Sequence, residues 1–188
     1  MKFDDVLKKR RAYRLLEKID ITDKMIRELA TAASLAPSCS NNQPWKYIFV
    51  KDEDILEEME DVFGENNDWA EEASMIIVPY SLAEEDCVIG KREYDQFDTG
   101  IATAFMMLKA TEMGLVAHPI AGFNPRKVKR MLDIPGEANL LAMVIVGKHA
   151  NLKNYKQFNR HELEENRPLR HELNKFVFID KNKNSFEG

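Results

Sequence analysis

The chain has 188 residues, of which 44% are hydrophobic and 31% charged, so it can bury a full core without staples. A net charge of -5 excludes a general nucleic-acid binder, which needs a basic field. Two cysteines, Cys39 and Cys87, cannot build a disulfide framework and have no metal-ligand spacing with the four histidines.

Met1 to Lys9 carries charge where a signal peptide needs an apolar core. No apolar run approaches the roughly twenty residues of a membrane span. The chain therefore reads as cytoplasmic, with no membrane and no nucleic acid among its partners. Its length predicts a single domain over 1–188.

Thr22 is placed to cap a helix whose Ile26, Leu29, Ala30 and Ala33 fall on one face, and Pro37 predicts its end near Leu35. Trp45, Tyr47 and Phe49 alternate with Lys46, Ile48 and Val50, which is strand periodicity. The run at 73–80, ASMIIVPY, is apolar on both faces and predicts a central strand. Between Asp98 and Lys109 there is no charge, and Gly114 is a natural stop. That pattern predicts a helix over 98–114 buried on all sides, one face of it by a second subunit. GLVAHPIAGF, 114–123, reads as a strand and a bend, after which Asn124 and Pro125 open a short basic helix. NLLAMVIVG, 139–147, is another central strand. Alternating strands and helices predict a mixed sheet with helices on both sides. The polar tail from about 150 to 188 lacks a core-facing pattern and suits docking on a partner subunit.

Three stretches can carry chemistry. Arg10, Arg11 and Arg14 in KKRRAYR form either a solvated helix end or a forked anion site suited to phosphate. The stretch APSCSNNQPW has more hydrogen-bonding capacity than a turn uses, so solvent or a ligand takes the rest. Its Cys39, with no histidine nearby in sequence, reads as a packing thiol without redox activity. In HPIAGF, Pro119 and Gly122 make a bend where a flat ligand can approach the backbone, while His118 reads as a structural histidine. There is no G-x-G-x-x-G, P-loop, G-x-S-x-G or H-E-x-x-H, and no carboxylate pair or triad to nominate. No catalytic side chain and no metal ligand is expected. An enzyme built on this chain draws its chemistry from a cofactor.

Together these stretches resemble the nitroreductase family. Its Arg-Arg-Ser-x-Arg-like box is matched by Arg10, Arg11, Ala12, Tyr13 and Arg14. Its Ala-Pro-Ser-x-x-Asn-x-Gln-Pro-Trp box is matched by Ala36, Pro37, Ser38, Asn41, Gln43, Pro44 and Trp45. An Asp-x-Gly helix ending in Gly-Leu follows at Asp98, Gly100, Gly114 and Leu115, then a Pro-Ile-x-Gly-Phe bend at Pro119, Ile120, Gly122 and Phe123. An Arg-x-Pro-Leu-like element lies at Arg167, Pro168 and Leu169.

The resemblance implies a three-layer α+β fold, with a mixed, mostly antiparallel sheet flanked by helices in an intertwined homodimer. It implies FMN as cofactor and NADH or NADPH as reductant. A small electron acceptor, a nitroaromatic or quinone, would be reduced in a ping-pong cycle. Arg10 and Arg11 would hold the FMN phosphate with Arg167 assisting, Ala12 would offer backbone contact, and Arg14 would lie by the pyrimidine edge. Pro37, Ser38, Cys39 and Asn41 would reach the flavin from the other subunit. The backbone of Pro119, Ile120, Ala121 and Gly122 would face its reactive nitrogen. The helix at 98–114 would form the dimer core and the 150–188 tail would wrap the partner.

Four departures stand out: Ala12 replaces a serine, Cys39 and Ser40 replace alanine and glycine, Phe105 stands where asparagine is common, and 81–97 is short for a substrate-covering insertion. Two rival functions are a specialised flavin reaction such as reductive dehalogenation, and a protein that stores or senses FMN without turnover. A third is an interaction module using the basic run at 8–14.

Overall fold

The structure, a computed structural model, describes residues 1–151, 164 and 166–186. Its hub is the strand Met143–His149 (β7), and every residue of that strand from Met143 to Val146 is buried. It pairs with Met75–Tyr80 (β3), Val116–Ile120 (β6) and Leu16–Glu17 (β1), and β3 pairs in turn with Lys46–Val50 (β2). Every one of these pairings is antiparallel.

Strand alternation then splits the apolar residues between two faces. Met75 and Ile77 of β3 and Val144 and Val146 of β7 face one core, which holds Leu29 and Ala33 with Ala102, Met106 and Ala110. Ile76 and Val78 of β3 and Met143 and Ile145 of β7 face the other, which holds Met59, Val62, Val128 and Ile134. Two cores on opposite faces of one sheet make the expected three layers.

The helices supplying the first core are Asp23–Ser34 (α2) and Asp95–Glu112 (α4), with Phe3–Lys9 (α1) before them. Thr22 caps α2 by accepting from the Met25 N–H at 3.2 Å, which stabilises the helix by about 1 kcal/mol. The second layer includes Glu53–Glu58 (α3) and Pro125–Met131 (α5), and Asn124 caps α5 by accepting from the Lys127 N–H at 3.1 Å.

Three expectations shift. Helix α4 begins at Asp95 rather than Asp98, with both aspartates in its first turn, where the helix dipole favours negative charge. It is also not buried all round within the chain: Ala102 and Met106 are buried, but Phe97 is 66% exposed and Phe105 40%. The last strand begins at Met143, because Asn139 leaves the run to bridge Ser81. Between β3 and α4 the chain forms a small exposed hairpin, Val88–Ile89 (β4) with Arg92–Glu93 (β5).

The chain divides into two compact units, Met1–Lys156 and Gln157–Gly188. The second has a short 3-10 turn at Leu173–Lys175 and a bridge between Phe178 and Ser185. No helix among the described residues is long and apolar enough to cross a membrane.

Candidate functional site

After α1 the chain runs extended from Arg10 to β1, and this segment holds Arg10, Arg11 and Arg14, each half-buried. It is fastened to the start of the 119–122 bend by one side chain. The Nδ1–H of His118, the residue before Pro119, donates to the Tyr13 carbonyl at 3.0 Å. Aromatic rings brace the same contact. Trp69 stacks on His118 at 4.6 Å, the Arg14 guanidinium lies 5.8 Å from the Trp69 ring centre, and Tyr13 stacks on His149 at 3.7 Å. The Arg11 guanidinium covers Tyr13 from 5.1 Å. Burial pushes the His118 pKa down, and the charges of Arg14 and Arg10 act in the same direction, partly offset by the bond to Tyr13. His118 is thus a neutral donor, which fixes its hydrogen on Nδ1.

The bend is tied on its other side. The Gly122 carbonyl accepts from the Gly64 N–H at 2.9 Å and from Asn67 Nδ2 at 2.8 Å, and Asn67 Oδ1 accepts from Trp69 Nε1 at 3.3 Å. A Cβ on Gly122 would stand 2.6 Å from Asn67 Nδ2, so any larger residue displaces that amide from the Gly122 carbonyl. Pro119, Ala121 and Gly122 are exposed while Ile120 is buried, leaving a thin backbone surface open to a ligand.

The stretch from Pro37 to Gln43 is anchored elsewhere. The Cys39 N–H donates to Asp98 Oδ2 at 2.6 Å, at the start of α4. Gln43 N–H donates to Ser38 Oγ at 3.0 Å, and Asn42 Nδ2 donates to Asp86 Oδ1 at 3.2 Å. Three residues without a glycine's freedom hold left-handed backbone: Ser40 at φ 50°, Asn41 at 59° and Gln43 at 52°. Ser40 stands where the resembling boxes carry glycine, and its φ is the reason glycine suits that place. Pro37, Ser40 and Asn41 are exposed.

The reading of Cys39 as a lone packing thiol is corrected here. Its sulfur is bonded to Cys87, 48 residues away, with the two Cα atoms 6.0 Å apart. Sequence spacing could not show this, because the loop meets the hairpin approach only through the packing of α4. Burial raises the Asp98 pKa, the Cys39 N–H partly offsets that, and the neighbouring Asp86 raises it further. Deeper in α4, Asp95 Oδ2 accepts from Ser81 Oγ at 2.6 Å and from Asn139 Nδ2 at 2.8 Å.

A groove of about 220 Å³ runs beside these elements, between Thr99, Gly100 and Thr103 of α4 and Pro79, Pro119 and Leu141. Arg167, expected to assist at a phosphate, belongs to the second unit.

The Nitroreductase family profile matches residues 7–68 and 64–148, which include the arginine segment, the Pro37–Gln43 loop and the bend. The chain belongs to the nitroreductase family. The chain is 27% identical over 171 residues to a protein named NADH dehydrogenase from Thermus thermophilus, covering 74% of this chain and 82% of that one. A nitroreductase family protein from Clostridium novyi superposes with a TM-score of 0.75 at 26% identity, covering 99% of this chain and 97% of the other. A crystal structure described as an oxidoreductase containing FMN superposes at 0.80, over 97% of this chain and 93% of its own, and at 23% identity that likeness is of fold alone.

Sequence reasoning missed Trp69, Asn67 and His149. Each acts through ring stacking or amide bonds to residues far along the chain, and none stands in a motif. Only the histidine beside Pro119 carried a signal, and it was read as structural, which matches its bond to Tyr13.

Proposed function

We propose that this protein is a homodimeric, FMN-dependent oxidoreductase that passes a hydride from NADH or NADPH to an electron-poor acceptor, a nitroaromatic or quinone, in ping-pong fashion. The observation that carries the reading is the His118–Tyr13 bond, which ties the segment of three half-buried arginines to the residue before a largely exposed bend that ends in Gly122. That donor set suits a flavin mononucleotide: guanidinium groups for a phosphate, and open backbone for the approach of a flat ring.

In this reading Arg10 and Arg11 hold the phosphate, assisted by Arg167, with Ala12 contributing backbone. Arg14, steadied over Trp69, sets positive charge at the pyrimidine edge. The backbone of Pro119, Ile120, Ala121 and Gly122 supports the ring near its reactive nitrogen. Bound there, FMN supplies the hydride chemistry. The protein orients, excludes water and tunes charge, and no side chain is assigned an acid or base role.

A second subunit completes the site. The region of Pro37, Ser38, Cys39 and Asn41 in one chain contributes to the flavin site of the other. Dimerisation covers the exposed apolar side chains of Phe3, Leu7, Phe97 and Phe105. Residues 1–188 act as one functional domain, with the tail from about 150 wrapping the partner in a cytoplasmic enzyme.

The test is the visible spectrum of the purified protein followed by anaerobic addition of NADH and then NADPH. The reading expects flavin absorption that bleaches with at least one donor and returns with a quinone. Absorption that persists would favour a protein that stores or senses FMN. No flavin, even after reconstitution, would overturn the reading.

A further inference from the structure

The disulfide joins two segments that otherwise hold each other weakly. One end is the Ser38–Gln43 loop with its three left-handed residues, and the other is the approach to the exposed β4–β5 hairpin. Besides the disulfide, exposed side-chain contacts join the segments, from Asn42 Nδ2 to Asp86 Oδ1 at 3.2 Å and to Cys87 Sγ at 3.7 Å and between Ser40 Oγ and Cys87 Sγ at 3.6 Å, while Cys39 itself is held to α4 through Asp98. Left-handed backbone at residues other than glycine persists only where the surroundings over-determine it. Here the covalent tie is the strongest of those constraints.

The chemistry around the sulfurs points the same way. Cys39 and Cys87 are half-buried, so a small reductant can reach them. A carboxylate oxygen of Asp86 lies within 4.8 Å of both sulfurs, and Asp98 lies just behind. A disulfide is neutral and tolerates those carboxylates. The same carboxylates disfavour a thiolate, so each released cysteine ends as a neutral thiol, and reduction removes the covalent tie between the loop and the hairpin approach with no charged contact to replace it.

Resting on the flavin reading above, we propose that Cys39–Cys87 is a reversible thiol–disulfide exchange site, through which dithiols set the geometry and cofactor affinity of the Ser38–Gln43 loop. One thiolate of the dithiol attacks a sulfur, forming a mixed disulfide and releasing the other cysteine as a thiolate, which takes a proton. The second thiol of the reductant, losing its proton, then displaces the remaining cysteine, which is protonated. Two cysteine thiols and one oxidised dithiol result, with two electrons and two protons moved. In a reducing compartment such a pair reports the state of the dithiol pool.

The experiment equilibrates the full-length protein in buffers of reduced and oxidised dithiothreitol and scores the thiols by alkylation and mass. Two properties are then read: hydrogen exchange over 36–44, and FMN affinity of the flavin-free protein. Reduction is expected to speed exchange in the loop while β3 and β7 stay protected, and to weaken FMN about tenfold. Reoxidation restores both, and Cys87→Ser behaves as the reduced form in every buffer. Equal FMN affinity in both forms would overturn the switch and leave the flavin reading standing. A pair that yields to dithiol only when the whole chain unfolds would also overturn it. Absence of FMN binding in either form would remove the flavin reading and this inference together.

Discussion

His118→Phe isolates the bond on which the site is built. His118 is 6% exposed, and a slightly larger phenyl ring keeps an aromatic stack on Trp69 but removes the Nδ1–H that donates to Tyr13. An acceptor left without its donor costs about 1–3 kcal/mol when buried, and Tyr13 is only half-buried, so the lower end applies. A loss of about 1 kcal/mol in a chain of this size lowers Tm by about 3 °C. If the same energy positions the arginine segment, FMN affinity falls about fivefold. Urea denaturation of the apoprotein and fluorescence titration with FMN read the two quantities separately. Unchanged stability together with unchanged affinity would refute the claim that His118 fastens Tyr13 and its neighbouring arginines.

Gly122→Ala puts a Cβ 2.6 Å from Asn67 Nδ2, so the amide must turn away and the bend loses about 1 kcal/mol of hydrogen bonding, measurable by thermal melt with weaker FMN binding. Ser40→Gly relieves a left-handed residue at φ 50° and is expected to raise stability by about 1 kcal/mol in urea. Reducing Cys39–Cys87 opens a 48-residue loop and should lower global stability by about 4 kcal/mol in the same assay. The folded-state pKa of His118 lies below its unfolded value, so the unfolded chain binds the extra proton first. Stability from this group is therefore full above pH about 6.5 and falls as pH drops from there through the folded pKa. In His118→Phe that part of the acid loss disappears, and an identical pH–stability curve in the two proteins would contradict the assignment.

Much of the fold was legible because its signals are local. Thr22, Asn124 and Gly114 mark helix ends through their own side chains or backbone, and ASMIIVPY declares a strand buried on both faces. The arginine segment and the bend were legible as motifs, but their meeting was not. It depends on His118 reaching Tyr13 over 105 residues, a register that the pairings of β1 and of β6 with β7 set together. A face of this helix left for a second subunit was expected, but which residues it carries, Phe97 and Phe105 among them, was not legible, because an uncharged helix reads as buried whether its cover is the same chain or another. The disulfide was missed because it depends on where a loop is carried by α4, and 48 residues of spacing hold no trace of that.

The central claim is that one flavin site draws on two chains, and a mixed dimer tests it most directly. One differently tagged chain carries Arg10→Ala and Arg11→Ala, the other Ser38→Ala and Asn41→Ala, and the two are coexpressed. Each variant alone should bind little FMN, because every site in it is damaged. The mixed dimer regains one undamaged site and should hold about one FMN per dimer, bleached by NADH or NADPH. A mixed dimer as empty of flavin as its parents would mean that the arginine segment and the Pro37–Asn41 region serve the same chain, and the two-chain site would be wrong.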